Sequence, residues 1–235
     1  MVFNILRMKT LNDYFDHIYC LNIIERTDKW VAMNEEFKLH GITDVQRLGV
    51  WGKKLFQPGW NIHAAGYGCL MSNFAALIDA LEKRYRRILI LEDDIHFEEK
   101  MNEKFWEKID YLPNDWHLLY LGGNSQFSNG NFEMVTGDKS IRITKENYNT
   151  LNNEIVKTKW TQCAPAVGYN GYVIADLIER LKVWKQPYDM LLPTLANQNI
   201  YNAYIFFPTL VKPKAGINDA GETYTDYMSS SVNNF

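Results

Sequence analysis

A short, uninterrupted apolar run over residues 88–91 most constrains what this chain can fold into. A strand without polar alternation has to be covered on both faces, which is typical of a parallel sheet with helices packed on each side. Apolar residues at helical spacing precede it, namely Phe74, Leu77, Ile78, Leu81 and Tyr85. Glu92, Asp93 and Asp94 follow it directly. The sequence therefore predicts an α/β sheet with an acidic cluster where one strand ends.

The same alternation of strands and helices runs through much of the chain. Strands are predicted over residues 17–23, 45–50, 117–121 and 203–207, and helices over 28–39, 101–111, 171–184 and 189–201, with a further helix starting at Ser72. Short β-like runs between residues 133 and 160 predict an antiparallel appendage. Because 235 residues are most economically one domain, we expect a single Rossmann-like α/β domain over 1–235. Its central sheet is expected to be mostly parallel.

Composition disfavours several function classes. The 25 basic and 28 acidic side chains give a net charge of −3, so a nucleic acid is not expected as a partner. Apolar runs are far shorter than the ~18–20 residues that cross a bilayer, and no secretion signal is visible, so no membrane span is expected. Three cysteines without a short-spaced pair indicate reduced, mostly structural thiols. These observations predict a cytoplasmic protein.

The acidic cluster is the strongest candidate site. In open parallel sheets, ligands gather beyond the carboxyl ends of the strands, and adjacent carboxylates repel each other unless a cation or a proton intervenes. Hard oxygen ligands favour Mg²⁺ or Mn²⁺, which usually take the rest of their ligands from water and substrate phosphates. The cluster therefore fits a nucleotide diphosphate. In the alternative interpretation, Asp94 caps the next helix while Glu92 and Asp93 are solvated.

Two other segments could meet an anion. Asn22, Arg26 and Asp28 follow the first strand at a helix start, where N–H groups favour a diphosphate or a ribose, although a solvated helix start is slightly more common. Gly66 and Gly68 are interpreted as a glycine-rich helix entry that allows close approach of a ligand, with Ser72 as the helix cap. The lysine and spacing of a nucleotide-triphosphate loop are missing from this segment.

Further candidates are single residues. Asp189 follows a proline at a predicted helix start and could cap the helix or act as a general base, capping being the commoner role. Trp51 and Trp60 could stack on a sugar ring, although large aromatic residues more often belong to a core. His63 and His96 have no partner at the spacing of a zinc site.

Taken in chain order, these segments resemble glycosyltransferase family 25, the group that contains lipooligosaccharide β-galactosyltransferases and procollagen galactosyltransferases. The similar segments are Ile18-Tyr19-Cys20-Leu21-Asn22-Ile23-Ile24-Glu25-Arg26-Thr27-Asp28-Lys29-Trp30, Gly68-Cys69-Leu70-Met71-Ser72, Leu89-Ile90-Leu91-Glu92-Asp93-Asp94-Ile95, residues 168–175, Tyr188-Asp189-Met190-Leu191-Leu192 and Pro208-Thr209-Leu210-Val211. The chain departs from the family pattern at Lys29, Asn73 and Lys212, where the family has arginine, histidine and often glutamine.

The resemblance implies a GT-A-like hexosyltransferase that binds a nucleotide-diphospho-sugar over about residues 15–124 and an acceptor over about 125–235. The donor is expected to be UDP-linked galactose or glucose, the acceptor a glycan or a protein hydroxyl, and the outcome inversion. Asp94 and Glu92 would hold Mn²⁺ (or Mg²⁺), which makes Asp94 catalytic, and Asp189 would be the base. The expected donor-binding residues are Asn22, Arg26, Asp28, Ser72, Glu92 and Asp93.

Two alternatives stay open on the sequence. A catalytically silent nucleotide- or carbohydrate-binding protein of the same fold is favoured by Asn73, which replaces the family's histidine. A metal-dependent phosphoesterase would use the same acids but would cleave a phosphomonoester that carries no nucleotide.

Overall fold

The computed structural model describes residues 7–52, 64–125, 133–136, 139–142, 154–217 and 224–225. The helices are α1 Thr27–Leu39, α2 Ala64–Lys83, α3 Met101–Lys108, α4 Gly171–Val183 and α5 Tyr188–Asn197, with 3-10 turns at Leu11–Asp13 and Ile109–Tyr111. The strands are β1 His17–Leu21, β2 Val45–Leu48, β3 Arg87–Glu92, β4 Ile95–Phe97, β5 Leu118–Ser125, β6 Glu133–Thr136, β7 Lys139–Arg142, β8 Glu154–Thr158, β9 Thr161–Asn170, β10 Ala203–Phe207, β11 Val211–Pro213, β12 Gly216–Ile217 and β13 Tyr224–Thr225. Trp60 and His63, which were considered above as a stacking residue and a zinc ligand, lie outside the described residues.

The main sheet has nine strands in the order β2-β1-β3-β9-β5-β10-β8-β6-β7. Strands β1, β2 and β3 are parallel neighbours, as are β5 and β10, and β9 is antiparallel to both β3 and β5. From β2 to β10, every strand except β9 therefore runs in one direction. Strands β8, β6 and β7 extend this sheet with antiparallel pairs. The predicted class, a mostly parallel central sheet with an antiparallel appendage, is confirmed.

Both faces of the sheet are covered, as the apolar run in β3 predicts. Ile88 and Ile90 belong to one core cluster, together with residues of α2, α4 and α5. Leu89 and Leu91 belong to a second cluster on the opposite face, together with residues of α1 and α3. Because successive side chains of a strand alternate between faces, an unbroken apolar strand is what this arrangement requires.

Strand β9 is the longest of the strands that the sequence pattern does not predict. Pro165 and Gly168 lie within it, and both residue types are disfavoured inside strands. Gly168 is required by packing, because a Cβ there would lie 2.7 Å from the Phe15 ring. Pro165 falls beyond the last residue that pairs with β3, Ala166. The first residues of β9 therefore meet the carboxyl ends of β1, β3 and β5.

Helix α2 begins eight residues before the predicted start at Ser72, at Ala64. Among the described residues, it is a helix long and apolar enough to cross a membrane by length and composition. Leu70, Ala76 and Leu77 of this helix are buried in the core cluster that it shares with the sheet. This packing explains its apolar composition.

Candidate active site

A cavity of about 620 Å³ opens where the parallel strands end. Its walls come from the ends of β1 and β3, the segment after β2, the first half of α2, the start of β9 and the start of α5. This volume is within the ~300–1,000 Å³ that is usual for small-molecule sites. The predicted site residues Arg26, Ser72, Glu92, Asp93, Asp94 and Asp189 line it.

The acidic residues after β3 face this cavity and are held in place by Lys29. The Lys29 ammonium lies 3.0 Å from Asp93 Oδ1 and 3.2 Å from Asp94 Oδ2. Asp94 precedes strand β4, and the next helix, α3, has Lys100 at its N-cap. The Asp93 side chain is only 12% exposed. The alternative of a capping Asp94 with solvated neighbours is therefore wrong.

Asn22 contacts the acidic cluster through Asp93. Among the described residues, it is not part of the cavity lining. The buried Asn22 side chain donates from Nδ2 to Asp93 Oδ2 at 2.6 Å and to the Arg26 carbonyl at 3.1 Å. Its Oδ1 accepts from Arg47 Nε at 2.6 Å. Asn22 therefore holds the Asp93 carboxylate in position, and its expected contact with the donor stays a prediction.

Arg26 and Asp28 separate into different roles. Arg26 lines the cavity, whereas Asp28 is 66% exposed and is not among the lining residues that the structure describes. Asp28 accepts two hydrogen bonds from the Arg26 guanidinium, at 2.9 Å and 2.8 Å. The guanidinium beside Asp28 holds the pKa of that carboxyl well below its ordinary value. Asp28 therefore orients Arg26, and its expected contact with the donor stays a prediction.

Ser72 is not a helix cap, because it lies in the middle of α2. Its hydroxyl donates to the Gly68 carbonyl and accepts from the Val50 N–H, both at 2.8 Å. The glycine-rich segment also lies inside α2. A Cβ on Gly68 would lie 2.7 Å from both Gly52 N and Val50 O. Gly68 thus allows the segment after β2 to pack against α2. The sequence pattern had predicted that a ligand, and not this segment, approaches the glycines.

Asp189 lies on the cavity wall in the first turn of α5, whose N-cap is Pro187. The capping alternative is therefore wrong. Burial raises the pKa of the Asp189 carboxyl, and hydrogen bonds from the N–H groups of Asp189 and Cys163 partly counter that rise. Cys163 adopts a left-handed φ of 59°, which is uncommon for a residue with a side chain and concentrates at functional sites. The contact between α5 and β9 fixes the carboxylate.

The carboxylates in the cavity influence each other. Burial raises the pKa of the Glu92 carboxyl to about 8, with further contributions from Asp94, Asp93 and Asp189. Burial also raises the pKa of Asp93, although Lys29 and Asn22 favour its charged form. The raised pKa of Glu92 thus reflects its burial first and the neighbouring carboxylates second.

The carboxylates of this site are chemically suitable ligands for a divalent cation. Within the part of the chain that the structure describes, no three His, Cys, Asp or Glu side chains form a ready-made metal cage. Mg²⁺ needs no such cage, because it commonly takes one or two carboxylates and completes its shell with waters and substrate phosphates. Glu92 and Asp94 offer the hard oxygen donors that Mg²⁺ and Mn²⁺ prefer, and their excess charge would be relieved by either ion.

Sequence reasoning missed several residues of the site. Cys69 and Cys163 line the cavity, and all three cysteines are free thiols. Burial raises the pKa of the Cys163 thiol to about 11 and that of Cys69 further. Arg47, which orients Asn22, was also missed, because nothing in its strand β2 marks it apart from an ordinary exposed cation. The predicted stacking residue Trp51 does line the cavity.

An acid-lined cavity at the carboxyl edge of a mostly parallel sheet lies where α/β proteins bind their ligands. The family described as glycosyltransferase family 25 (LPS biosynthesis protein) matches residues 54–192. This match covers more than half of the chain and includes Glu92, Asp93, Asp94 and Asp189. The chain belongs to glycosyltransferase family 25.

Individual relatives are more distant. Procollagen galactosyltransferase 2 of Mus musculus is 27% identical over 131 residues, and its Homo sapiens counterpart is 24% identical over 129 residues. Each match covers 46% of this chain and 21% of the relative, so the chain spans about a fifth of the length of these relatives. A solved glycosyltransferase involved in the glycosylation of the major capsid of PBCV-1 has 12% identity and a TM-score of 0.35, covering 77% of this chain and 66% of its own. That superposition is too loose to bear on function.

Proposed function

We propose that this protein transfers a hexose, galactose or glucose, from a UDP-linked donor to a hydroxyl of a glycan or protein, with inversion and with Mn²⁺ (or Mg²⁺) at Asp94 and Glu92. The observation that carries the proposal is the convergence of the acids after β3 with Asp189 of α5 on one cavity. Family membership supports sugar transfer, and galactose is suggested by the name of the procollagen relatives.

The donor's diphosphate is expected at the end of β1 and β3. Arg26 and Lys29 lie in or beside the first turn of α1, where the helix N-terminus favours an anion. A divalent cation held by Asp94 and Glu92 would stabilise the negative charge that develops on the departing β-phosphate. Asn22 and Arg47 keep Asp93 in place, so this edge of the cavity is preorganised for the donor.

Asp189 is expected to act on the acceptor. The acceptor oxygen attacks the anomeric carbon from the face opposite the diphosphate, and the bond to the diphosphate oxygen breaks with its electron pair. The proton of the acceptor hydroxyl passes to the Asp189 carboxylate, whose burial and raised pKa suit a general base. A single displacement of this kind inverts the anomeric centre.

The test measures release of nucleotide diphosphate from UDP- and GDP-sugars in the presence of Mn²⁺, with and without acceptor glycans. We expect UDP release by the wild-type chain and a loss of at least about 10²-fold in Asp94→Asn, because that variant weakens the cation's hold. Asp110→Asn, an exposed carboxylate on the turn after α3, is the matched control and keeps full activity.

Three results would contradict the proposal in different ways. Nucleotide binding without turnover would identify a silent binder. Hydrolysis of p-nitrophenyl phosphate would identify a phosphoesterase. Turnover that is indifferent to both Mn²⁺ and Asp94 would remove the acids from the mechanism.

A further inference from the structure

Lys29 is the cation that contacts both aspartates after β3. We propose that Lys29 is an internal counter-ion that occupies the cation position between Asp93 and Asp94 in the free protein and moves onto the donor's diphosphate when a divalent ion enters. The inference rests on the proposed function for its ligand, and it assigns Lys29 two successive partners in one site.

The side chain is placed for this role by the sheet. Lys29 lies in the first turn of α1, which follows β1, and β1 is the parallel neighbour of β3 with Leu21 beside Glu92. The Lys29 side chain is 13% exposed and reaches across this boundary to both carboxylates. Its ammonium therefore occupies Asp94, one of the two carboxylates proposed to hold the metal ion.

The two aspartates are held unequally. Asp93 Oδ2 accepts from Asn22, and Asp93 Oδ1 contacts Lys29, so both oxygens of this carboxylate have partners. The Asp94 side chain is more exposed, at 34%, whereas its backbone carbonyl accepts from the Lys214 N–H at 2.5 Å. Asp94 thus has a fixed backbone and an accessible carboxylate. It is the side chain that can exchange the ammonium for a metal ion.

Charge balance favours the exchange. Asp93, Asp94 and Asp189 line the cavity, and a diphosphate adds further negative charge. A divalent ion at Asp94 would repel an ammonium that stays beside that carboxylate, and a phosphate oxygen offers the ammonium a new partner of opposite charge. Lysine suits this movement, since its ammonium is a compact charge on a flexible stem.

A static ion pair would behave differently. If Lys29 stayed on the two aspartates, its loss would still raise the affinity of these acids for a metal ion, because a like charge is removed, but it would leave the affinity for UDP unchanged. If Lys29 moves onto the diphosphate, its loss raises the affinity for Mn²⁺ and also lowers the affinity for UDP at saturating Mn²⁺. The two binding measurements together therefore separate the two roles without any measurement of turnover.

The experiment titrates Mn²⁺ into the full chain without nucleotide and follows the free Mn²⁺ signal by electron paramagnetic resonance. We expect Lys29→Met to bind Mn²⁺ about tenfold more tightly than wild type, because a charge-assisted contact no longer has to be broken. At saturating Mn²⁺, UDP should bind about tenfold more weakly to the same variant, because the phosphate loses its ammonium. Lys38→Met, exposed on the last turn of the same helix, is the matched control and leaves both affinities unchanged.

Unchanged or weaker Mn²⁺ binding by a folded Lys29→Met protein would overturn the inference, as would unchanged UDP affinity. Should that variant fail to fold, Lys29→Gln, a neutral side chain that can still donate to a carboxylate, is titrated with the same expectations. Tighter Mn²⁺ binding in a chain that turns over no nucleotide sugar would leave the counter-ion standing and remove the proposed function. Turnover of nucleotide sugar by the wild type, together with an Mn²⁺ affinity that the Lys29 substitution does not change, would remove the counter-ion and leave the proposed function standing.

Discussion

Single residues in this site are fixed by partners from distant parts of the chain. Asn22 holds the Asp93 carboxylate in place, and Arg47 in turn holds Asn22. Each of these two hydrogen bonds is 2.6 Å long. Asp189 depends on the Cys163 N–H in a comparable way. The functional carboxylates are therefore preorganised, and their roles can be tested one at a time.

Asp189→Asn tests the assignment of the base. The amide keeps the size of the side chain and an oxygen that accepts from the backbone, but it cannot take up the acceptor's proton. We expect transfer to fall by about 10²–10⁴-fold while UDP affinity stays at the wild-type value. Glu179→Gln, exposed on α4, serves as control. A variant that still transfers at the wild-type rate would exclude Asp189 as the base.

The raised pKa of Glu92 predicts a pH dependence of stability. Between the ordinary value of 4.5 and about 8, the folded protein holds a proton on Glu92 that the unfolded chain has released. The contribution of Glu92 is therefore fully present below pH 4.5 and is lost as pH rises towards 8. In chelator, the melting temperature of the wild type should fall across this range relative to that of Glu92→Gln. Parallel curves for the two proteins would contradict the raised pKa.

The sequence predicts the acids of the site better than their supports. Glu92, Asp93 and Asp94 were identifiable because an apolar strand has to deliver them to one edge of a sheet. Arg47 and Cys163 were not identifiable, because their roles arise from strand pairing and from a left-handed backbone that no local pattern encodes. The pairing of Asp28 with Arg26 was likewise not predicted, because the motif suggested a ligand contact for both residues.

At the scale of elements, the reversed strand β9 and the long helix α2 shape the cavity. Strand β9 places residues 163–165 at the edge of the sheet where β3 ends. Helix α2 packs so closely against the segment after β2 that a Cβ on Gly52 would meet the Ala64 carbonyl at 1.7 Å. The cavity wall therefore depends on glycine contacts between backbones.

Gly68→Ala tests this contact. Its new methyl group would lie 2.7 Å from two backbone atoms, which have to move to accommodate it. We expect a loss of about 2 kcal/mol in unfolding free energy, or roughly 4–8 °C in melting temperature. Glu82→Ala, exposed near the end of the same helix, should stay within ~0.5 kcal/mol of wild type. A Gly68→Ala protein as stable as this control would show that the backbone after β2 can move away from α2 at little cost in free energy.

Element prediction succeeded where one physical rule dominated. Strand β10 has the predicted bounds, because a short apolar run defines it. Strand β9 failed because Pro165 and Gly168 are tolerated there only through contacts with distant residues. The start of α2 failed because Gly66 and Gly68 suggested a loop, and tertiary packing overrides that local preference.

At the scale of the whole molecule, the sheet gathers chemistry from residues spread over most of the chain. Residues from Leu21 to Pro213 line one cavity, because parallel strands end at a common edge and β9 begins there. The family match reaches from residue 54 to residue 192 and leaves out Asn22, Arg26 and Lys29. The residues after β1 and in α1 that contact Asp93 therefore lie outside the matched range.

The most direct test of the central claim is an anomalous difference map, recorded at the manganese edge, from crystals soaked with Mn²⁺ and UDP-galactose or UDP-glucose. We expect a manganese peak in contact with the Asp94 carboxylate and with diphosphate oxygens beyond the end of β3. A diphosphate bound elsewhere, with no manganese near Glu92 or Asp94, would contradict it.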